Sequence, residues 1–338
     1  MTALVPVAGE LPGGWEQYAR GMGDALSLAT AGWLAACNSA NTREAYLRNL
    51  CGLGRNWEPA PGKAPAWLPW CHQNGVDPLT ARRSHVEAWS RMLEQAGFAA
   101  KSRAQKLATV SSWYDYLESE ELTERNPAKK ATRPRANGNY SPATALSHEE
   151  IDRLIDAAEA DGPMAYALVC LLYFCGLRVG SILSAKVGDL AWDQGTRALN
   201  LTLKGGKPVR ELLVPTAAEA VDTYLATRPG AGDSEPLFTN HAGGPLHRFV
   251  VRKLIQRLAR QCGIESHRQL TNHGVGRATH ITHARDEKVA VDVIQFTVKH
   301  ADPRTTLSYD NLRETRRERS GTALEKRRRR EQAARGVS

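Results

Sequence analysis

The chain has 338 residues, 42% of them apolar, with a net charge of +9 and a pI of about 9.3. It is long enough for two domains and too apolar for disorder throughout, while its charge favours a polyanionic partner, whether nucleic acid or an anionic membrane surface. The longest early apolar stretch, Leu26 to Cys37, is too short to span a bilayer and lacks the pattern of a signal peptide.

The six cysteines show no Cys-x-x-Cys spacing, so neither a zinc site nor a redox motif is expected. They read as reduced, mostly buried thiols of a cytoplasmic protein. Residues 1–28 are weakly patterned and read as a loosely ordered segment. Helical periodicity covers 29–130. One segment begins at Thr42 with Tyr46, Leu47 and Leu50 at helical spacing. A second begins at His85 and reaches Leu93. A third, Lys101 to Leu117, gathers Leu107, Val110, Trp113, Tyr114 and Leu117 on one face. Asn126-Pro127 ends the region, and no strand signal interrupts it. The expectation is a small all-helical bundle.

Residues 131–144, rich in Pro, Gly, Asn and Ser with two arginines, read as a linker. They suit a flexible basic connection around a polyanion and equally an ordinary surface loop. A second domain, 145–315, opens on a capping box at Ser147-His148-Glu149-Glu150. Ala165 to Phe174, apolar all round, predicts a buried helix broken at Gly176. Leu199, Leu201 and Leu203 alternate with Asn200, Thr202 and Lys204 as a half-buried strand, with a hairpin turn at Gly205-Gly206. The return strand runs to Val214, and Pro208 makes it an edge strand. Helices follow at roughly 216–227, 248–262, 277–287 and 290–299. The tail, 316–338, is strongly basic and reads as a phosphate-binding arm or an exchanged segment. The fold class is therefore mainly α with a small antiparallel β-sheet.

Arg178, Lys204, His273, Arg277, His300 and Tyr309 form the candidate site. A phosphodiester is attacked with charge building on its non-bridging oxygens, while the leaving 5′ oxygen needs a proton. Arginine binds such oxygens through a planar, permanently charged fork. Lysine donates a proton, because its pKa follows its surroundings. A tyrosine oxygen stores the bond energy as an ester, so rejoining needs no ATP. Two arginines, a lysine, a histidine and a tyrosine do this without a metal, and no cofactor is expected. Arg178 lies at a helix start, an unfavourable place for a cation unless it serves a purpose. Lys204 ends a strand on the polar face, with Lys207 beyond the turn as its competitor. His273, His280 and His283 lack the cysteine or acidic partners of clear zinc sites, and read as packing histidines.

The order of these residues resembles the tyrosine recombinases, or phage integrases. The resemblance rests on Gly176-Leu177-Arg178, Lys204 to Arg210, Arg277 to His283, Ile294-Gln295, His300 and Thr305-Thr306-x-x-Tyr309, with weaker matches across 29–130. It implies a core-binding domain and a catalytic domain clamped on duplex DNA, and assembly as a homo-tetramer on paired sites. It also implies site-specific recombination through a 3′-phosphotyrosine on Tyr309. Arg178, Arg277 and His300 would contact the phosphate, and Lys204 would protonate the 5′ oxygen.

The chain departs from the pattern in four places. The family's His-x-x-Arg is here His273-x-x-x-Arg277, a slip of one residue that turns a regular helix by about 100°. A local bulge between Gly274 and Gly276 would restore the position. Ala278 replaces a second histidine, Lys299 replaces a glycine, and Ser181 stands where many members carry an acid. Two rival readings follow: a type IB topoisomerase-like strand transferase, and a DNA-binding protein with a decayed site.

Overall fold

The computed structural model describes residues 23–54, 62, 64–134, 145–202, 206–300 and 302–307. The chain divides into two compact units, residues 1–137 and 138–338. Most of the linker candidate, 135–144, and the basic tail lie outside the described residues.

The first unit is helical: α1 (Asp24–Ala35), α2 (Ala40–Cys51), α3 (Trp67–Gln73), α4 (Arg83–Gln95) and α5 (Ala100–Ser119). Helix α1 begins inside the segment expected to be loosely held, because Leu26, Ala29, Trp33 and Leu34 are buried in the bundle core. The face read on α5 is the buried one. Trp67, Trp89, Trp113 and Tyr114 are fully buried, and the rings of Trp67 and Trp89 meet edge-on with centroids 5.5 Å apart.

A buried indole needs a hydrogen-bond acceptor, and each of these has one. Trp67 donates to Tyr114 Oη (3.2 Å), Trp89 to Pro65 O (3.2 Å) and Trp113 to Thr30 Oγ1 (3.1 Å). Asn126 closes the bundle. Its amide donates to Ser111 O and Asp115 Oδ1 (2.8 Å each), and its Oδ1 accepts from Ala128 N–H (2.8 Å).

The second unit is built around α7 (Pro163–Tyr173), whose residues Ala167 to Leu172 are all buried. Helices α6 (His148–Asp161) and α9 (Pro215–Ala226) pack on it. Ser147 and Glu150 form the capping box reciprocally, at 3.1 and 2.8 Å. Helix α8 (Val179–Ser184) follows. A three-stranded antiparallel sheet then runs in the order β1 (Leu190–Asp193), β2 (Thr196–Thr202) and β3 (Pro208–Leu212), with β3 at the edge. The chain ends its described part with α10 (Arg248–Gln261), a π turn (Gly274–Ala278), α11 (Thr279–Asp286), α12 (Val291–Val298) and α13 (Pro303–Leu307). Strand β1 was not expected. Its hairpin with β2 turns on Gln194 and Gly195, both at positive φ. Among the described residues no helix is long and apolar enough to cross a membrane.

Asn126→Ala leaves the buried Ala128 N–H unpaired and removes the amide's hydrogen bonds to Ser111 and Asp115. The loss of stability should be roughly 1–3 kcal/mol, measured by urea unfolding of the full chain. A change within error would show that water replaces the amide.

Candidate active site

Gly176 is where the second unit turns from buried helix to site. Its φ of +57° suits glycine, and a Cβ there would lie 3.0 Å from the His280 ring and 3.2 Å from Val298. The next residues are Leu177, buried, and Arg178, exposed at the N-terminal boundary of α8. The carbonyl of Gly176 accepts a 3.1 Å hydrogen bond from Arg277 Nη1. One glycine therefore both projects the first arginine and anchors the second.

Arg277 is only 3% exposed. It sits in the π turn, which holds one more residue per turn than an α-helix. Thr271 starts the turn by accepting from Gly274 N–H (2.9 Å), and Thr279 Oγ1 donates to Gly274 O (2.7 Å). Gly276 lets this turn settle onto α7, since a Cβ would stand 2.8 Å from Leu172 O. The additional residue between His273 and Arg277 is thus absorbed by a wider turn, the bulge expected between Gly274 and Gly276. Ala278, in place of a second histidine, is buried with Ile281, Ile294 and Val298.

Arg277 Nε–H donates to His300 Nε2 at 3.1 Å. Guanidinium has no acceptor, so His300 Nε2 carries no proton, and its Nδ1–H donates to Thr306 Oγ1 at 3.0 Å. Gln295 holds the same histidine by its backbone, donating Nε2–H to His300 O at 3.0 Å. Burial first, then the charges of Arg277, Arg178 and His273, push the His300 pKa from 6.5 down to about 4. His300 is therefore neutral at pH 7. Of the six expected site residues, Arg277 and His300 touch. Arg178 and His273, both exposed, lie close enough for their charges to act on His300. Lys204 and Tyr309 lie outside the described residues.

His280 and His283 are engaged elsewhere. His280 Nδ1 meets Tyr173 O at 2.8 Å. His283 donates Nε2–H to Leu146 O (2.9 Å), so its Nδ1 accepts from the Tyr173 hydroxyl (2.9 Å). Both tie α11 to its neighbours.

One residue at the site escaped the sequence reading. Glu211 on β3 is 7% exposed, and Lys299 Nζ stands 3.1 Å from its Oε2. Burial raises the Glu211 pKa, while Lys299 and then Arg277 oppose that rise. Register was the available signal. Glu211 pairs with Leu199 and Val209 with Leu201, so Glu211 shares the face of the two core leucines.

The profile of the phage integrase family matches residues 144–316. The chain is 28% identical to a tyrosine recombinase XerD of Chlorobaculum tepidum over 287 residues, 81% of this chain and 86% of the relative. It is 30% identical to the XerD of Caulobacter vibrioides over 280 residues, 80% and 88% of the two chains. Among solved structures, the fold is similar to the XerH site-specific recombinase in a post-cleavage complex with palindromic difH substrate. That match has a TM-score of 0.65 and 15% identity, covering 92% of this chain and 94% of that one. It is also similar to a lambda integrase dimer bound to a COC′ core site, with a TM-score of 0.59 and 15% identity over 86% and 94%.

The neutral His300 gives a signed pH dependence. Its folded pKa lies below its unfolded value, so its contribution to stability is complete above pH 6.5 and is lost as pH falls towards 4. His300→Gln should flatten the fall in unfolding free energy across that window by roughly 3 kcal/mol. The residual slope should include His280, whose pKa is also lowered by burial. Parallel curves for parent and variant would contradict this assignment.

Proposed function

Because the chain belongs to the phage integrase family of tyrosine recombinases and is a site-specific DNA recombinase, we propose that Arg178, Lys204, His273, Arg277, His300 and Tyr309 carry its reaction on duplex DNA. The Tyr309 phenol gives its proton to solvent as its oxygen attacks the scissile phosphorus, forming a 3′-phosphotyrosine. The P–O5′ bond breaks, and Lys204 protonates the leaving 5′ oxygen. A 5′ hydroxyl from the partner strand then attacks the phosphotyrosine, passing its proton to Lys204, and the released Tyr309 oxygen regains a proton from solvent. Energy is conserved in the ester throughout.

Arg178 and Arg277 hold the non-bridging oxygens and stabilise the charge that develops on them. The observation that carries this reading is the Arg277–His300 hydrogen bond, with the charges of Arg178 and His273 acting on the same imidazole. His300, neutral and fixed by Thr306 and Gln295, orients the buried guanidinium. His273 adds an exposed group at the entrance of the π turn. That turn supports an intact site over a decayed one, because it accommodates the additional residue before Arg277. We further propose that four copies assemble on two paired DNA sites, and that no metal or organic cofactor takes part.

The probe is a nicked duplex built from fragments that the wild-type chain captures covalently from sheared DNA of its source organism. Wild-type protein should form the adduct in excess EDTA, and Tyr309→Phe should bind the duplex but form none. An adduct from the Phe variant at normal yield would remove Tyr309 from its role. Loss of wild-type capture in EDTA, with restoration by magnesium, would reinstate a metal.

A 5′-bridging sulfur leaves without a proton. It should therefore restore cleavage to Lys204→Ala and not to Arg178→Ala, although both variants lose one positive charge. Rescue of Lys207→Ala in place of Lys204→Ala would exchange the roles of the two lysines.

A further inference from the structure

Three observations converge on Glu211 and Lys299. Lys299 has φ +52° and ψ +49°, a left-handed conformation at the end of α12 in which a lysine is strained and a glycine is not. Its side chain does not trail into solvent. The ammonium lies 3.1 Å from Glu211 Oε2 and 4.3 Å from the centre of the Phe296 ring. Glu211 is a carboxylate buried on an edge strand, on the face shared with Leu199 and Leu201, and among the described residues its buried Oε2 meets this ammonium as an ion pair and has no hydrogen-bond partner.

A buried carboxylate is costly without a partner, and a left-handed lysine persists only where its surroundings compensate. Each residue explains the other. Both stand at the site, since Lys299 precedes His300 in sequence and the charge of Arg277 acts on Glu211.

We propose that Glu211 and Lys299 form a positioning couple that fixes strand β3 to the His300 segment and sets a carboxylate beside Arg277, so that Arg277 and His300 are aligned before DNA arrives. The couple touches neither substrate nor the reacting atoms. It acts through Arg277 and His300, and so rests on the roles given to them above. The groups that face Glu211 are Lys299 from the end of α12, Arg277 from the π turn and Cys175 from the α7–α8 connection. Cys175 is a neutral thiol, its pKa pushed up to about 12 by burial. The charge of Glu211 is therefore set against two cations, and removing Lys299 leaves Arg277 alone to hold it ionised.

The test measures the rate of covalent capture on the nicked duplex by the full chain. Glu211→Gln and Lys299→Gly should each slow capture about tenfold with duplex affinity unchanged, and the double variant should be no slower than either single one, as expected for residues acting as a unit. In Lys299→Gly the acid limb of the pH–rate profile should move to higher pH, because Glu211 without its ammonium protonates more readily. Adding Glu211→Gln should remove that shift, which a purely structural contact would not produce. Lys299→Gly relieves the left-handed strain, so it decides the question alone if Glu211→Gln fails to fold. Capture at the parental rate by Lys299→Gly, multiplying losses in the double variant, or an unmoved acid limb would each overturn the proposal. Absence of capture by the wild-type chain would instead count against the roles assigned to Arg277, His300 and Tyr309.

Discussion

A guanidinium that is 3% exposed is the constraint on which the second unit depends. Burying a charge is expensive unless it is hydrogen-bonded and balanced. Arg277 meets that demand with the carbonyl of Gly176, the unprotonated nitrogen of His300 and the nearby charge of Glu211. Each partner imposes a further requirement. Gly176 must turn left-handed beside the His280 ring. His300 must keep its proton on the far nitrogen, where Thr306 accepts it. The end of α7, the loop after α12 and the short α13 are thus set by one arginine, and Arg178, two residues beyond Gly176, inherits its place from the same turn.

The π turn shows how a local irregularity preserves a site. An added residue in a regular helix rotates everything beyond it. Here the extra residue is confined to Gly274–Ala278, where Gly276 permits contact with the backbone of Leu172. Arg277 can then face Gly176 while α11 continues regularly and delivers His280 and His283 to the C-terminal end of α7 and to Leu146. Such turns cluster at functional sites because they redirect one side chain without redirecting the helix.

Much of this was legible in the residues themselves. The apolar run of α7, the capping box at Ser147, the alternation of Leu199 and Leu201 and the edge position implied by Pro208 are local signals, and local signals survive folding. Spacing and resemblance grouped Arg178, Arg277 and His300, of which the structure brings Arg277 against His300, and the glycines around Arg277 foretold its bulge. Other features depended on tertiary context. Helix α1 carries few caps and becomes ordered by burying Trp33 and Leu34. Strand β1 is four residues long and declares itself only through pairing with β2. Glu211 is a charged residue flanked by Arg210 and an exposed Leu212, so its inward direction follows from register and not from its chemistry. Lys299 looked like a lost glycine, although its side chain has a partner on a strand nearly ninety residues earlier in the chain.

The distribution of indoles makes the two units optically separable. Trp33, Trp67, Trp70, Trp89 and Trp113, all buried, belong to the first unit. Trp192, 66% exposed on β1 beside the Arg197 guanidinium, is the sole tryptophan in residues 138–338. Blue-shifted emission therefore reports the helical bundle. With Trp15 and Trp57, which lie outside the described residues, replaced by phenylalanine, red emission quenched by a soluble anion reports the outer face of the sheet whose opposite edge carries Glu211. A chain without those two tryptophans thus contains two spectroscopic probes, and loosening of one unit can be followed against the integrity of the other without any label.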